Sequence, residues 1–297
     1  MSEYAISIAS NMGMIAFVAL SAYVILVSGE ISFGQQAYFG IGAYTSGVAT
    51  AMWGWPFGLA LVLGSCSAAL AALAIGALTL RLRGLYFAIA TLCFAEVIRL
   101  GLNSVHVQVE VDGEQVGPAG AEGFGDIRWI FEHDITTLEY MLVIYGLLGA
   151  VLAILLLVER SNLGAIIRMI GQDPLLASSQ GIDVRSCKLL VVVFAGMIAG
   201  LGGCLYAHFA TYIEPNVFNV MLGVHGLAYG LIGGLGTALG PLIGVVLDVG
   251  FLEGIRPIQG YRMIAFGGLV AVLLIIMPRG ILDEVRIHRI KRWLRRR

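Results

Sequence analysis

The sequence predicts an all-α polytopic membrane protein of about eight to ten transmembrane helices, with one short extra helix on a polar face. Three observations carry this. The chain has 297 residues, 59% hydrophobic and 12% charged, about half the charged fraction of a soluble domain. Its mean hydropathy is +0.90. Its apolar runs reach the length of about 20 residues that a helix needs to cross hydrocarbon. The 40 glycines agree, because small residues let membrane helices approach closely.

The elements follow in order. "MSEYAISIAS" carries Glu3 where a secretory leader carries a basic residue, so the first run, 4–27, reads as a retained span. Further spans lie near 57–79, 84–104, 138–158, 187–209 and 260–278. Residues 33–52 are long enough to cross but rich in Gly and hydroxyl groups, so they read as a full span or a broken, re-entrant helix. Residues 222–256 are too long for one pass and are broken at Gly240-Pro241.

Basic residues set the orientation, because cytoplasmic loops collect Lys and Arg. The 80–83 loop holds Arg81 and Arg83, the 159–188 loop Arg160, Arg168, Arg185 and Lys188, and the tail after Pro278 eight Arg and Lys, from Arg279 to Arg297. All three are expected in the cytoplasm. The 105–137 loop, with seven acidic residues against Arg128, and "TYIEPNVFN" at 211–219, with no basic residue, are expected outside. Two passes must then come from 222–256, split near Gly236–Gly240 with the turn on the cytoplasmic side. The total is about nine crossings with the N-terminus outside; if 33–52 does not cross, the N-terminus changes side. A transmembrane unit over 1–282 and a basic tail over 283–297 result, the tail suited to anionic lipid at about 1 kcal/mol per basic residue.

Polar groups at membrane depth are the candidate functional residues. "GEISFGQQAYFGIGAYTSG" (29–47) places Gln35, Tyr38, Tyr44 and Thr45, with Glu30, Ser32, Gln36 and Ser46, in apolar surroundings. Unpaired polar groups in hydrocarbon cost several kcal/mol, so these face protein or a polar path. Both readings stand: they knit helices, or some line a translocation path. Gly226, Gly230 and Gly234, then Gly236, Gly240 and Gly244, recur every four residues, the spacing of close helix packing or of a helix pair that slides. Glu96 and Arg99 are spaced for a local ion pair. Asp248 and Glu253 are expected at an interface. His208 and His225 lack a second ligand at metal spacing, and Cys66, Cys93, Cys187 and Cys204 read as packing residues. No metal, cofactor or nucleic-acid partner is expected.

The chain carries two lysines, Lys188 and Lys291, and neither follows GxxxxG, so it has no phosphate-binding loop. No catalytic constellation stands at workable spacing, and an enzyme is not expected. An energy source would have to sit on another chain. The stretch "DPLLASSQGIDV" (173–184) bears on this. Asp173 is an N-cap type, Pro174 suits the first helical position, and Gly181 suits the residue after a helix end. Leu175, Leu176 and Ser179 share a side, and Ala177 is small. "SNLGAIIRMIG" before it predicts a second short helix, with Ser161 as N-cap and Gly171 at its end.

These blocks occur in a recognisable order: "GEISFGQQAYFGIGAYTSG", "RGLYFAIATLCFAEVIRL", "ERSNLGAIIRMIGQDPLLASSQGIDVRSCKLLVVVFAGMIAGLGGCLYA", "GLIGGLGTALGPLIG" and "MPRGIL". Together they closely resemble the permeases of branched-chain amino acid ABC importers, of the M-subunit type, from about residue 29 to 282. The resemblance implies a bacterial inner-membrane subunit paired with a homologous second permease, two cytoplasmic ATPases that bind the ATP, and a periplasmic substrate-binding protein. It implies a coupling helix over 173–182, where Asp173, Ala177, Gly181 and Ile182 match the family pattern. Pro174 and "SSQ" depart from it. The external loop is not the form of the amino acid members, so urea, short amides or aromatic acids stand beside branched-chain or other aliphatic amino acids as expected solutes. A stand-alone channel or secondary carrier is the other class, and Glu96 is its strongest ionisable candidate.

Overall fold

The computed structural model describes residues 3–111, 114–252, 262–277 and 280–282. The basic tail, Glu253 and the Pro278-Arg279 pair lie outside the described residues. Among the described residues, five helices are long and apolar enough to cross a membrane: α1 (Glu3–Val27), α3 (Phe57–Thr79), α4 (Leu85–Ser104), α6 (Thr137–Arg160) and α9 (Val184–Ala210). At about 1.5 Å per residue, the 27 residues of α9 reach about 40 Å, enough for a bilayer with its headgroups. Shorter helices lie beside them among the described residues: α2 (Gln35–Ala51), and the apolar α10 (Val220–Gly233), α11 (Leu239–Val245), which continues as a π-helical turn over Val246–Leu252, and α12 (Arg262–Ile276). Between them lie β1 (Val109–Val111), β2 (Glu114–Val116), α5 (Trp129–Glu132), α7 (Asn162–Gln172) and α8 (Pro174–Ser179).

Helix ends follow local chemistry. Thr136 and Glu139 close a reciprocal capping box on α6. Asp183 accepts the N–H groups of Arg185 and Ser186 at the start of α9, and Asn219 that of Met221 at the start of α10.

The core is built on α1, α2 and α9, with α3, α6 and α10 around them. Burial shows the order: 78% of the apolar window of α1 is buried inside the protein, against 17% for α6, whose outer face is left for lipid. Close approach depends on missing side chains. A methyl group on Gly42 would strike the backbone of Gly200, and one on Gly203 the backbone of Phe39, so α2 and α9 touch main chain to main chain.

Residues 33–52 resolve into two parts. Ser28–Gly34 is not helical, and α2 begins only at Gln35. α2 then runs parallel to α9: Tyr38 lies beside Gly196, Gly42 beside Gly200, and Thr50 bonds His208. Glu30 meets Lys188, one turn into α9. The non-helical segment and α2 together therefore match the length of α9. The expected split of 222–256 also appears, with the turn at Gly234–Ala238. Arg168 of α7 donates to the Gly236 carbonyl (3.0 Å), which puts that turn at the same end as α7 and α8.

One expectation is corrected: Asp248 is not interfacial but buried, 1% exposed, and accepts the Tyr229 hydroxyl proton at 2.5 Å. Ser161 takes the N-cap position of α7, but its hydroxyl donates to the Val158 carbonyl and makes no side-chain cap. α7 ends at Gln172, one residue after Gly171, and Gly171 packs on the end of α1. The 105–137 loop is more structured than its composition suggests. β1 and β2 pair antiparallel, and Phe124 bridges to Ile213, so Phe124 and Ile127 are buried. The signal was the period-two run "VHVQVEV" (105–111).

Candidate functional site

Two neighbouring features form the site: the exposed helix α8 and the polar start of α2. A helix of six residues is marginal alone. Here its ends are secured. The Asp173 carboxylate accepts the N–H groups of Leu175 (2.9 Å) and Leu176 (3.0 Å), and Pro174 occupies the first helical position. At the other end Ser178 and Ser179 donate their hydroxyl protons to the carbonyls of Leu175 and Leu176. These hydroxyl bonds back onto the helix are what the "SSQ" departure adds locally. Gly181 turns the chain at φ +81°, and the Ile182 N–H reaches the Ala177 carbonyl (3.3 Å).

Ala177 is fully buried where α8 rests on α7 and α9. Leu175 (74% exposed) and Leu176 (53%) stand outward as a rigid apolar knuckle.

The ground under α8 is wired to the rest of the protein. Glu159, at the end of α6, accepts from Tyr23 (2.7 Å), Thr237 (3.1 Å) and the Ala238 N–H (2.6 Å), joining α6 to α1 and to the start of α11. Arg168 ties α7 to the same turn, and Lys188 ties α9 to Glu30. Sequence reading missed Glu159 and the Glu30–Lys188 pair. Their partners lie 78 or more residues away, so no local spacing shows them.

The candidate path residues divide. Gln35 and Tyr38 are fully buried, as is Gln36. Neither amide, nor the hydroxyls of Tyr38 and Tyr44, has a hydrogen-bond partner among the described residues. Each such group costs about 1–3 kcal/mol, and four of them lie on one helix. Tyr44 packs against Phe124 and Phe218 toward the end opposite α8. Thr45 stands apart: it bonds the Ile41 carbonyl and the Ser67 hydroxyl (2.8 Å), joining α2 to α3.

The glycine stripe is interrupted in space. Gly226 and Gly230 face Val18 and Leu26 of α1, and Gly240 and Gly244 press on the backbones of Gly233 and Tyr229. Gly234 and Gly236 form the turn between helices. Glu96 and Arg99 make a two-pronged local pair, and Arg99 also reaches Asn216 (3.2 Å). His208 bonds Thr50 and the Cys204 carbonyl, which is a helix-packing arrangement.

Comparison with known proteins agrees with this architecture. A family model described as "Branched-chain amino acid transport system / permease component" matches residues 4–278. The chain is 28% identical over 280 residues to the high-affinity branched-chain amino acid transport system permease protein LivM of Escherichia coli K12, covering 89% of this chain and 66% of that protein. It thus spans slightly less than two thirds of that relative's length. It is 26% identical over 172 residues to LivH of the same strain, 55% of each chain. It is 26% identical over 300 residues to the autoinducer 2 import system permease protein LsrD of Escherichia coli O9:H4, covering 95% of this chain and 85% of that one. No solved structure matches. The multi-pass helical architecture and the match across nearly the whole chain make this protein a member of the branched-chain amino acid transport system permease family.

Proposed function

We propose that this chain is a transmembrane permease subunit of a bacterial ABC importer, moving a small solute by alternating access while separate subunits hydrolyse ATP. The observation that carries this reading is α8: a short helix capped at both ends, seated on Ala177, presenting Leu175 and Leu176 outward. An apolar pair held outside the membrane-spanning bundle fits a hydrophobic groove on a partner. In this reading α8 and the C-terminal tail are cytoplasmic, and the β1–β2 face meets a periplasmic binding protein. A homologous second permease completes the path, in line with the similarity to both LivM and LivH. The binding protein must prefer one state of the permease pair over the other to shift their equilibrium.

The solute is a branched-chain or other aliphatic amino acid, supported by the family description. The second reading is a different small polar solute, supported by the match to an autoinducer 2 permease over 95% of this chain. The ligand retained by the cognate binding protein separates the two.

The docking role is tested by the double substitution Leu175→Asp and Leu176→Asp. Both side chains are exposed, so the protein should fold and insert as before. The ATPase subunits should no longer co-purify, and transport should stop. Retained ATPase binding with transport intact would refute it.

A further inference from the structure

The geometry points to Glu30 and Lys188 as positioning residues: their ion pair joins the start of α9, which follows the proposed ATPase-docking helix α8, to the connector that leads into the polar start of α2. This inference rests on the proposed role of α8. The pair is closely made, Lys188 Nζ to Glu30 Oε1 at 2.5 Å, and withdrawn from solvent, the two side chains being 12% and 7% exposed. It bridges 158 residues of sequence.

Its placement gives it a task. Glu30 belongs to Ser28–Gly34, the non-helical connector between α1 and α2. The connector is held on both sides of α8. Before α8, Gly171 of α7 lies so close to Val27 and Gly29 that neither glycine could carry a side chain, and Gly29 sits at φ +80°. After α8, Lys188 in the first turns of α9 holds Glu30. Any displacement of α7, α8 and the start of α9 as a unit therefore reaches the connector through these two contacts. The connector leads into Gln35, Gln36 and Tyr38 without a break, and the Phe33 N–H donates to Thr91 of α4 (3.1 Å), so α4 is engaged as well. Broken helices in transporters carry polar groups at solute sites. Here the break is the part of α2's pass that touches the driven end.

A buried ion pair is a poor source of stability but fixes a geometry. Removing one partner leaves the other charge buried and unpaired, whereas neutralising both is close to neutral for folding. That separates coupling from stability. The test uses the full permease pair with its ATPases and binding protein, reconstituted in vesicles, with solute uptake and ATP hydrolysis measured together. The double variant Glu30→Gln with Lys188→Met should keep its ATPases and hydrolyse ATP near the parent rate. Its solute moved per ATP should fall at least tenfold. The exchanged pair, Glu30→Lys with Lys188→Glu, should recover much of that ratio. A double variant that transports at the parent ratio overturns the inference, as does one in which uptake and hydrolysis fall in equal proportion. A parent protein that binds no ATPase overturns the importer reading and this joint with it.

Discussion

At the level of single residues, glycine does two different things in this protein. Gly42 lies where α2 and α9 meet backbone to backbone, with no room for a methyl group. Gly149, on the outer face of α6, has nothing within 4 Å of the place a side chain would take. Gly42→Val should destabilise by about 1–3 kcal/mol, the cost of overpacking a filled interior. Gly149→Ala should leave stability unchanged within about 0.5 kcal/mol. Thermal melts of the purified protein in detergent test both, and equal melting temperatures for the two variants would remove the argument for α2–α9 contact. The sequence shows both glycines alike; only the neighbour across the gap distinguishes them.

At the level of elements, the segment from α8 into α9 is a chain of short caps: Asp173 on α8, Gly181 after it, Asp183 on α9. Asp183 lies in the loop outside the spans. The Ser186 hydroxyl, then the Ser186 and Arg185 backbone N–H groups, hold its carboxyl below the usual aspartate value. The sign follows from linkage. A depressed native value stabilises the capped form above the unfolded aspartate value of about 3.9, and that contribution is lost as pH falls through the native value. Hydrogen exchange at Arg185 and Ser186 should be unaffected by the cap between about pH 5 and 8 and lose cap protection only in more acid solution. Ser186→Ala should move that loss to higher pH; no movement would show that the hydroxyl is not the main cause. Asp173 and Gly181 were legible in the sequence because each acts within three residues; Asp183 acts at the same range, but only the structure showed it as the cap of α9. Ser161 takes the N-cap position that its spacing predicts, but its hydroxyl bonds the Val158 carbonyl rather than the first turn of α7.

At the level of the whole molecule, the passes alternate, so α1 begins at the end opposite α8 and the chain after α12 returns to the α8 end. There the Ile281 and Leu282 N–H groups bond the carbonyls of Ile232 and Gly233. The connector and the 17 residues of α2 together run alongside α9, and the expected outcome is that they cross as one pass. Single cysteines placed at Trp55, beyond the far end of α2, and at Ser178, on α8, in a background without the native four, should react with an impermeant thiol reagent from opposite sides of the membrane. Labelling of both from one side would mean that residues 28–51 re-enter without crossing.

The sequence by itself determined the membrane class, the positions of the long spans, the turn after α10 and the capped helix α8. Each is encoded by composition, by runs about as long as a bilayer is thick, or by residues a few positions apart. Only the tertiary structure decided that Asp248 is buried, that Glu159 gathers three elements, and that Glu30 belongs with Lys188. The reason is physical. A buried charge at low dielectric needs a partner, and which partner it finds depends on helix packing that brings distant residues together, not on spacing along the chain.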